Sequence, residues 1–137
     1  MTEITPLTHQ ADLEFAAQHG RAFYQETGMP GVFEPEKFVD LWTRIIESGI
    51  GVILGLRLDG QIIGALAAVV APDIYDGRPT AQETFWYVLP EHRGAYSLLR
   101  LIHAYKEWAL ARGVAKQDIR IACMEGARPD ELQEFYL

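Results

Sequence analysis

The sequence predicts an α/β protein, a mixed sheet with helices on both faces, and three features carry that expectation. Residues 52–58 and 61–70 are apolar almost throughout and meet at Asp59-Gly60. A half-buried strand would alternate, so runs of this kind call for cover on both faces, while Asp-Gly is a strong hairpin signal. Segments with apolar residues every three or four positions precede and follow this pair. A strand, a short basic loop and an amphipathic helix then come in direct succession between Glu83 and Arg112.

In chain order, residues 3–7 suit a short strand. Thr8 can cap a helix to about Thr27, with Leu13, Phe15, Ala16, Ala17, Ala22 and Phe23 as its apolar face and Gly20 as its weak point. Residues 28–31 are a turn. Pro35 takes the first-turn place that proline tolerates, and Phe38, Leu41, Trp42, Ile45 and Ile46 keep helical spacing to about Ser48, where Gly49 closes the helix. The hairpin of two apolar strands follows, and Gly64, Ala65, Ala67 and Ala68 leave room for a helix to approach. Residues 71–81, with Pro72, Asp73, Asp76, Gly77 and Pro79, read as a loop.

Phe85, Trp86, Tyr87 and Val88 make the central strand, which Pro90 ends. Leu98, Leu101, Ile102, Tyr105, Trp108 and Ala109 then form one side of a helix that stops at Gly113. Residues 119–124 are a further strand, 126–129 a turn, and Asp130 caps a last helix from Glu131. The element order is βααβββαβα.

Composition limits the partners. A chain of 137 residues with 49% hydrophobic content reads as a single domain over 1–137 with a real core. No stretch reaches the roughly 18 apolar residues of a membrane span, and Met1-Thr2-Glu3 does not begin a signal peptide, so no membrane partner and a cytoplasmic location are expected. The single cysteine, Cys123, fits a reducing compartment and reads as a small core residue. A net charge of −7 argues against nucleic acid, whose binding is built on phosphate neutralisation. Yet residues 93–120 hold six cations against Glu107 and Asp118, a local excess of 6 − 2 = +4. That excess suits a small polyanion or, equally, a solvated helix face. The four histidines share no ligand spacing, so no metal site is expected.

A strand that feeds Arg93-Gly94 at a helix start is an anion site, because first-turn amides lack helical partners and the dipole favours negative charge there. Val88, Pro90-Glu91-His92-Arg93-Gly94 and the Leu-rich helix after them resemble the GNAT superfamily of acyl-CoA-dependent N-acetyltransferases, which shares the element order. The resemblance implies acetyl-CoA as co-substrate and a small-molecule or peptide amine as acceptor. It puts Arg93 and the amides of Gly94, Ala95, Tyr96 and Ser97 on the pyrophosphate, and the amide near Val88 against the thioester carbonyl. Two positions depart from the family pattern: Glu91 stands where Gln or Arg is usual, and Tyr96 where a small residue is.

Glu83 falls where several members carry a base, its other reading being an exposed carboxylate at a strand end. Tyr136 of Phe135-Tyr136 stands where the family supplies an acid to the thiolate, its other reading being a packed aromatic. The family usually continues past this point into two more strands. The strand at 119–124 would then keep an open edge for a second copy or a partner chain to cover. The expected function is N-acetyl transfer; the alternative is a non-catalytic assembly subunit of the same fold.

Overall fold

The computed structural model describes residues 2–27 and 33–121. Its elements are β1 (Thr2–Pro6), α1 (Gln10–Thr27), α2 (Pro35–Glu47), β2 (Gly51–Leu58), β3 (Gln61–Pro72), β4 (Pro79–Val88), α3 (Ala95–Ala111) and β5 (Ile119–Arg120). The strands form one mixed sheet in the order β1-β2-β3-β4-β5. Neighbours are antiparallel except β4 and β5, which are parallel and are therefore joined by a crossover, here α3.

The hairpin forms as expected. Asp59 and Gly60 both take positive φ, at 51° and 88°, as a two-residue turn matching strand twist requires, and Leu58 pairs with Gln61. Both faces of the sheet are covered. Leu54, Leu56, Leu66 and Val88 meet Leu101, Tyr105 and Ala109 of α3 on one side. Ile53, Ala65, Ala67, Phe85 and Tyr87 meet Leu13 and Ala16 of α1 and Trp42 of α2 on the other. Arg57 ties the first elements together, donating to Thr5 Oγ1 at 3.0 Å and to Asp12 Oδ2 at 2.9 Å.

Several expectations are corrected. Ala65 and Ala67 pack with α1 and α2 and Ala68 with α3, as expected, and Gly51 admits α2 as well, since a Cβ there would collide with Ile45 Cγ2. Gly64 instead accommodates its cross-strand partner, a Cβ there lying 3.1 Å from Tyr87 O and from Val88 Cγ2. Phe15 stays 39% exposed while Leu13, Ala16 and Ala17 are buried, because the 13-16-17 stripe turns residue 15 outward. The segment 71–81, expected to be loop, is strand at both ends: pairing runs to Pro72↔Pro79, where the missing proline donors fall at the ladder's end, and the loop is confined to 73–78. Helix α3 begins at Ala95, three residues before Leu98, with Gly94 as N-cap. The rest of the strand expected to 124, Cys123, the turn at 126–129 and the last helix with Tyr136 lie outside the described residues.

Candidate functional site

The register of β4 decides which way its backbone faces. Leu89 N donates to Ile63 O at 2.8 Å, so positions 63 and 89 form a hydrogen-bonded site of the antiparallel ladder. Such sites alternate along a pair of strands. Val88 opposite Gly64 and Trp86 opposite Leu66 are therefore non-bonded positions, whose N–H and C=O point away from β3 toward the β5 side. Among the described residues β5 pairs with β4 only at Ala81↔Ile119 and Gln82↔Arg120. The outward groups of Trp86 and Val88 lie beyond those rungs and line a backbone edge.

A bulge lies between the rungs and that edge. Ala67 pairs with Phe85 but Ala68 pairs with Glu83, which leaves Thr84 as the extra residue. Thr84 Oγ1 donates to Ala67 O at 3.2 Å. A bulge bends its strand and increases its twist, so β4 turns just after its last rung to β5. Glu83 flanks the bulge at 2% exposure, which overturns the expectation of an exposed strand-end carboxylate. The reason is the six residues of β4 that precede the presumed strand start: Glu83 is in mid-strand, where Gln82 Nε2 also bonds its carbonyl at 2.7 Å. Trp86 Nε1 is buried with no hydrogen-bond partner.

The other end of β4 passes through a short 3-10 turn at Pro90–His92 into α3. His92 N bonds Leu89 O at 2.8 Å, Arg93 N bonds Pro90 O at 3.3 Å, and Ser97 Oγ bonds His92 O at 3.1 Å. Gly94 is extended, makes no side-chain cap, and its carbonyl receives the first helical bond, from Leu98 N. The amides of Ala95, Tyr96 and Ser97 thus precede every helical acceptor and face out at the positive end of the dipole. Tyr96 is 71% exposed, and Glu91 is exposed on the turn.

Three of the six cations of the basic stretch make contacts within the molecule. Arg93 Nε donates to Val88 O at 2.8 Å, and its guanidinium sits 4.9 Å from the Tyr87 ring centre. Arg100 bonds Thr2 Oγ1 and lies over Tyr96; Arg112 bonds Gly49 O and lies over Trp108. Thr2 and Gly49 are distant partners, whereas Val88, Tyr87, Tyr96 and Trp108 lie within six residues of the arginine each meets, and Lys116 and Arg120 are exposed.

The structure thus brings Val88, Arg93, Gly94, Ala95, Tyr96 and Ser97 together at one end of β4 and sets Glu83 at its bulge; Tyr136 lies outside the described residues. Sequence reasoning missed the bulge and the outward backbone of Trp86, for which no residue pattern exists. It also missed Arg78, which donates to Asp118 Oδ2 at 3.0 Å and Asp76 Oδ2 at 2.5 Å and ties the β3–β4 turn to β5. A cation among turn residues was its only trace. Open grooves of about 490 Å³ beside Glu14 and Asp40 and about 780 Å³ beside Leu99 and Trp108 involve none of the expected site residues. The backbone register, rather than cavity size, therefore locates the site. Among the described residues no cluster could hold a metal ion, and no helix is long and apolar enough to cross a membrane.

Comparison with known proteins bears on this geometry. The sequence model of the acetyltransferase (GNAT) family matches residues 14–129. No curated protein matches. Among solved structures, a GCN5-related N-acetyltransferase from Ralstonia eutropha superposes with TM-score 0.81 at 18% identity, over 98% of this chain and 91% of that one. A Clostridium acetobutylicum predicted acetyltransferase with acetyl-CoA gives 0.73 at 17%, over 98% and 88%. An aminoglycoside acetyltransferase from an uncultured soil sample gives 0.72 at 18%, over 98% and 84%.

Proposed function

Because the chain belongs to the acetyltransferase (GNAT) family, we propose that it transfers an acetyl group from acetyl-CoA to the primary amine of a small molecule or peptide. One observation carries the reading: open first-turn amides of α3 stand at the end of a strand whose outward backbone leads back to a bulge beside a buried carboxylate.

The pyrophosphate lies against the amides of Ala95, Tyr96 and Ser97, where unpaired N–H groups and the dipole favour it. The pantetheine arm then follows the outward backbone of Val88 and Trp86. From Val88 to Glu83 is five residues, about 16 Å of strand. A base must come within roughly 3 Å of the proton it removes, so the thioester belongs nearer the bulge than Val88. This moves the sequence expectation: Val88 serves the arm, and the carbonyl meets backbone closer to Thr84. Glu83 takes a proton from the acceptor ammonium, and the freed amine attacks the thioester carbon. A backbone N–H stabilises the oxyanion, after which the C–S bond breaks, the C–N bond stays and the nitrogen gives up its second proton to solvent. Tyr136 is the proposed proton source for the leaving thiolate.

Calorimetric and thermal-shift titration with acetyl-CoA tests this, beside Ala95→Pro. Proline at the first helical position removes one N–H and keeps the helix. At 100 times its dissociation constant the ligand adds about 2.7 kcal/mol, several degrees for this size. The variant should melt normally and bind about tenfold more weakly, the loss of one hydrogen bond to a charged group. A folded wild-type protein with no shift would leave the non-catalytic assembly role as the better account.

A further inference from the structure

Arg93 is the one cation of the loop beside the helix start, yet its bond of 2.8 Å runs backward, to the carbonyl of Val88. Val88 is no ordinary acceptor. Its N–H and C=O both face the β5 side, past the last rung to β5, and they are the final outward pair of the strand before the turn at Pro90. A strand-like ligand following this edge would meet both groups of Val88, one as donor and one as acceptor. Arg93 occupies the acceptor, and its planar guanidinium is steadied 4.9 Å from the ring of buried Tyr87. The N–H of Val88 is left to the edge, and its carbonyl keeps one lone pair.

We propose that Arg93 is a positioning residue rather than a phosphate ligand. By bonding the Val88 carbonyl it fixes the peptide plane that follows Val88 and sets the register in which the coenzyme arm lies on β4. With one lone pair of Val88 O already taken, a ligand group at that point is steered to accept from Val88 N–H. The proposal rests on the acetyl-CoA reading above. It also explains how the site manages with Glu91 in the turn, since the anion is left to backbone amides and Arg93 holds the strand that presents the arm.

Lysine separates the two roles, because it keeps the charge but has neither the Nε–H at that point of the side chain nor the planar group. The experiment measures acetyl-CoA affinity across a salt series for wild type, Arg93→Lys and Arg93→Ala. It also follows the wild-type Arg93 Nε–H resonance and its through-hydrogen-bond coupling to the Val88 carbonyl carbon, without and with acetyl-CoA. A positioning role gives about a tenfold loss in both variants, an unchanged salt slope, and a coupling that persists in the bound protein. Wild-type affinity in Arg93→Lys with loss only in Arg93→Ala would overturn it, as would a coupling that disappears on binding. Arg57→Lys, which weakens an ion pair far from the site, controls for stability and should bind normally. Binding by wild type with an unaffected Arg93→Lys sinks this inference alone; no binding by wild type sinks the acetyl-transfer reading and this one with it.

Discussion

Glu83 joins the sequence and the proposed chemistry at the scale of one residue. A carboxylate at 2% exposure in mid-strand flanks the bulge to which the coenzyme arm is proposed to lead. Glu83→Gln keeps the size and most hydrogen bonding of the side chain but cannot take up a proton. Thiol release from acetyl-CoA over a panel of primary amines should fall by about 10²–10⁴-fold, the usual worth of a positioned base. Acetyl-CoA affinity should stay near that of wild type, since the carboxylate acts on the acceptor. An undiminished rate would remove Glu83 from the mechanism.

Among the elements, the β3–β4 hairpin shows how the site's strand is held. Asp73 Oδ1 accepts from Tyr75 N at 2.8 Å, Asp73 N donates to Arg78 O at 2.8 Å, and Arg78 reaches both Asp76 and Asp118. The amide of Arg78, and after it the guanidinium, hold the Asp76 carboxyl below its ordinary value. A depressed carboxyl stabilises the fold above its unfolded value and loses that contribution as pH falls through the folded one. Amide protection at 73–78, corrected for the intrinsic exchange rate, should therefore fall as pH drops below the usual carboxylate range, and an Asp76→Asn variant should show no such step. An equal acid response in both proteins would contradict the lock.

The two hairpins also show what the sequence discloses. Asp59-Gly60 was legible because positive φ at two successive residues admits few residue types. The second hairpin was hidden because Pro72 and Pro79 look like loop residues and sit on the final rung. The loop and helix start at the proposed coenzyme end were legible through Arg93-Gly94 and the helical spacing from Leu98. Where the Arg93 side chain goes was not, because that depends on the ladder register that sets Val88 opposite Gly64, a pairing no local pattern displays. The bulge at Thr84 is one inserted residue, and a single threonine carries no sign of it.

Across the whole molecule, the weak point is the attachment of β5. Two rungs join it to β4, in the parallel arrangement that is less stable per residue, whereas β2 and β3 pair along their length. Two side chains reinforce it from opposite directions: Arg78 reaches Asp118 just before the strand, and Tyr105 of α3 donates to Arg120 O at 2.7 Å. Tyr105→Phe should cost about 1–2 kcal/mol by leaving that carbonyl without its donor. Arg78→Gln should also lower the urea midpoint, through the loss of the guanidinium that meets Asp118, although screening weakens the ion pairs of a side chain that is 45% exposed. Independent losses add within roughly 0.5 kcal/mol. These two restrain the same two-residue strand, so once either is gone the other has less order to protect, and the double variant should lose measurably less than the sum in urea unfolding. It should also bind acetyl-CoA more weakly than either single variant, since β5 bounds the edge along which the arm is proposed to lie. Strict additivity would mean that Arg78 and Tyr105 hold separate parts of the molecule and that β5 does not depend on them jointly.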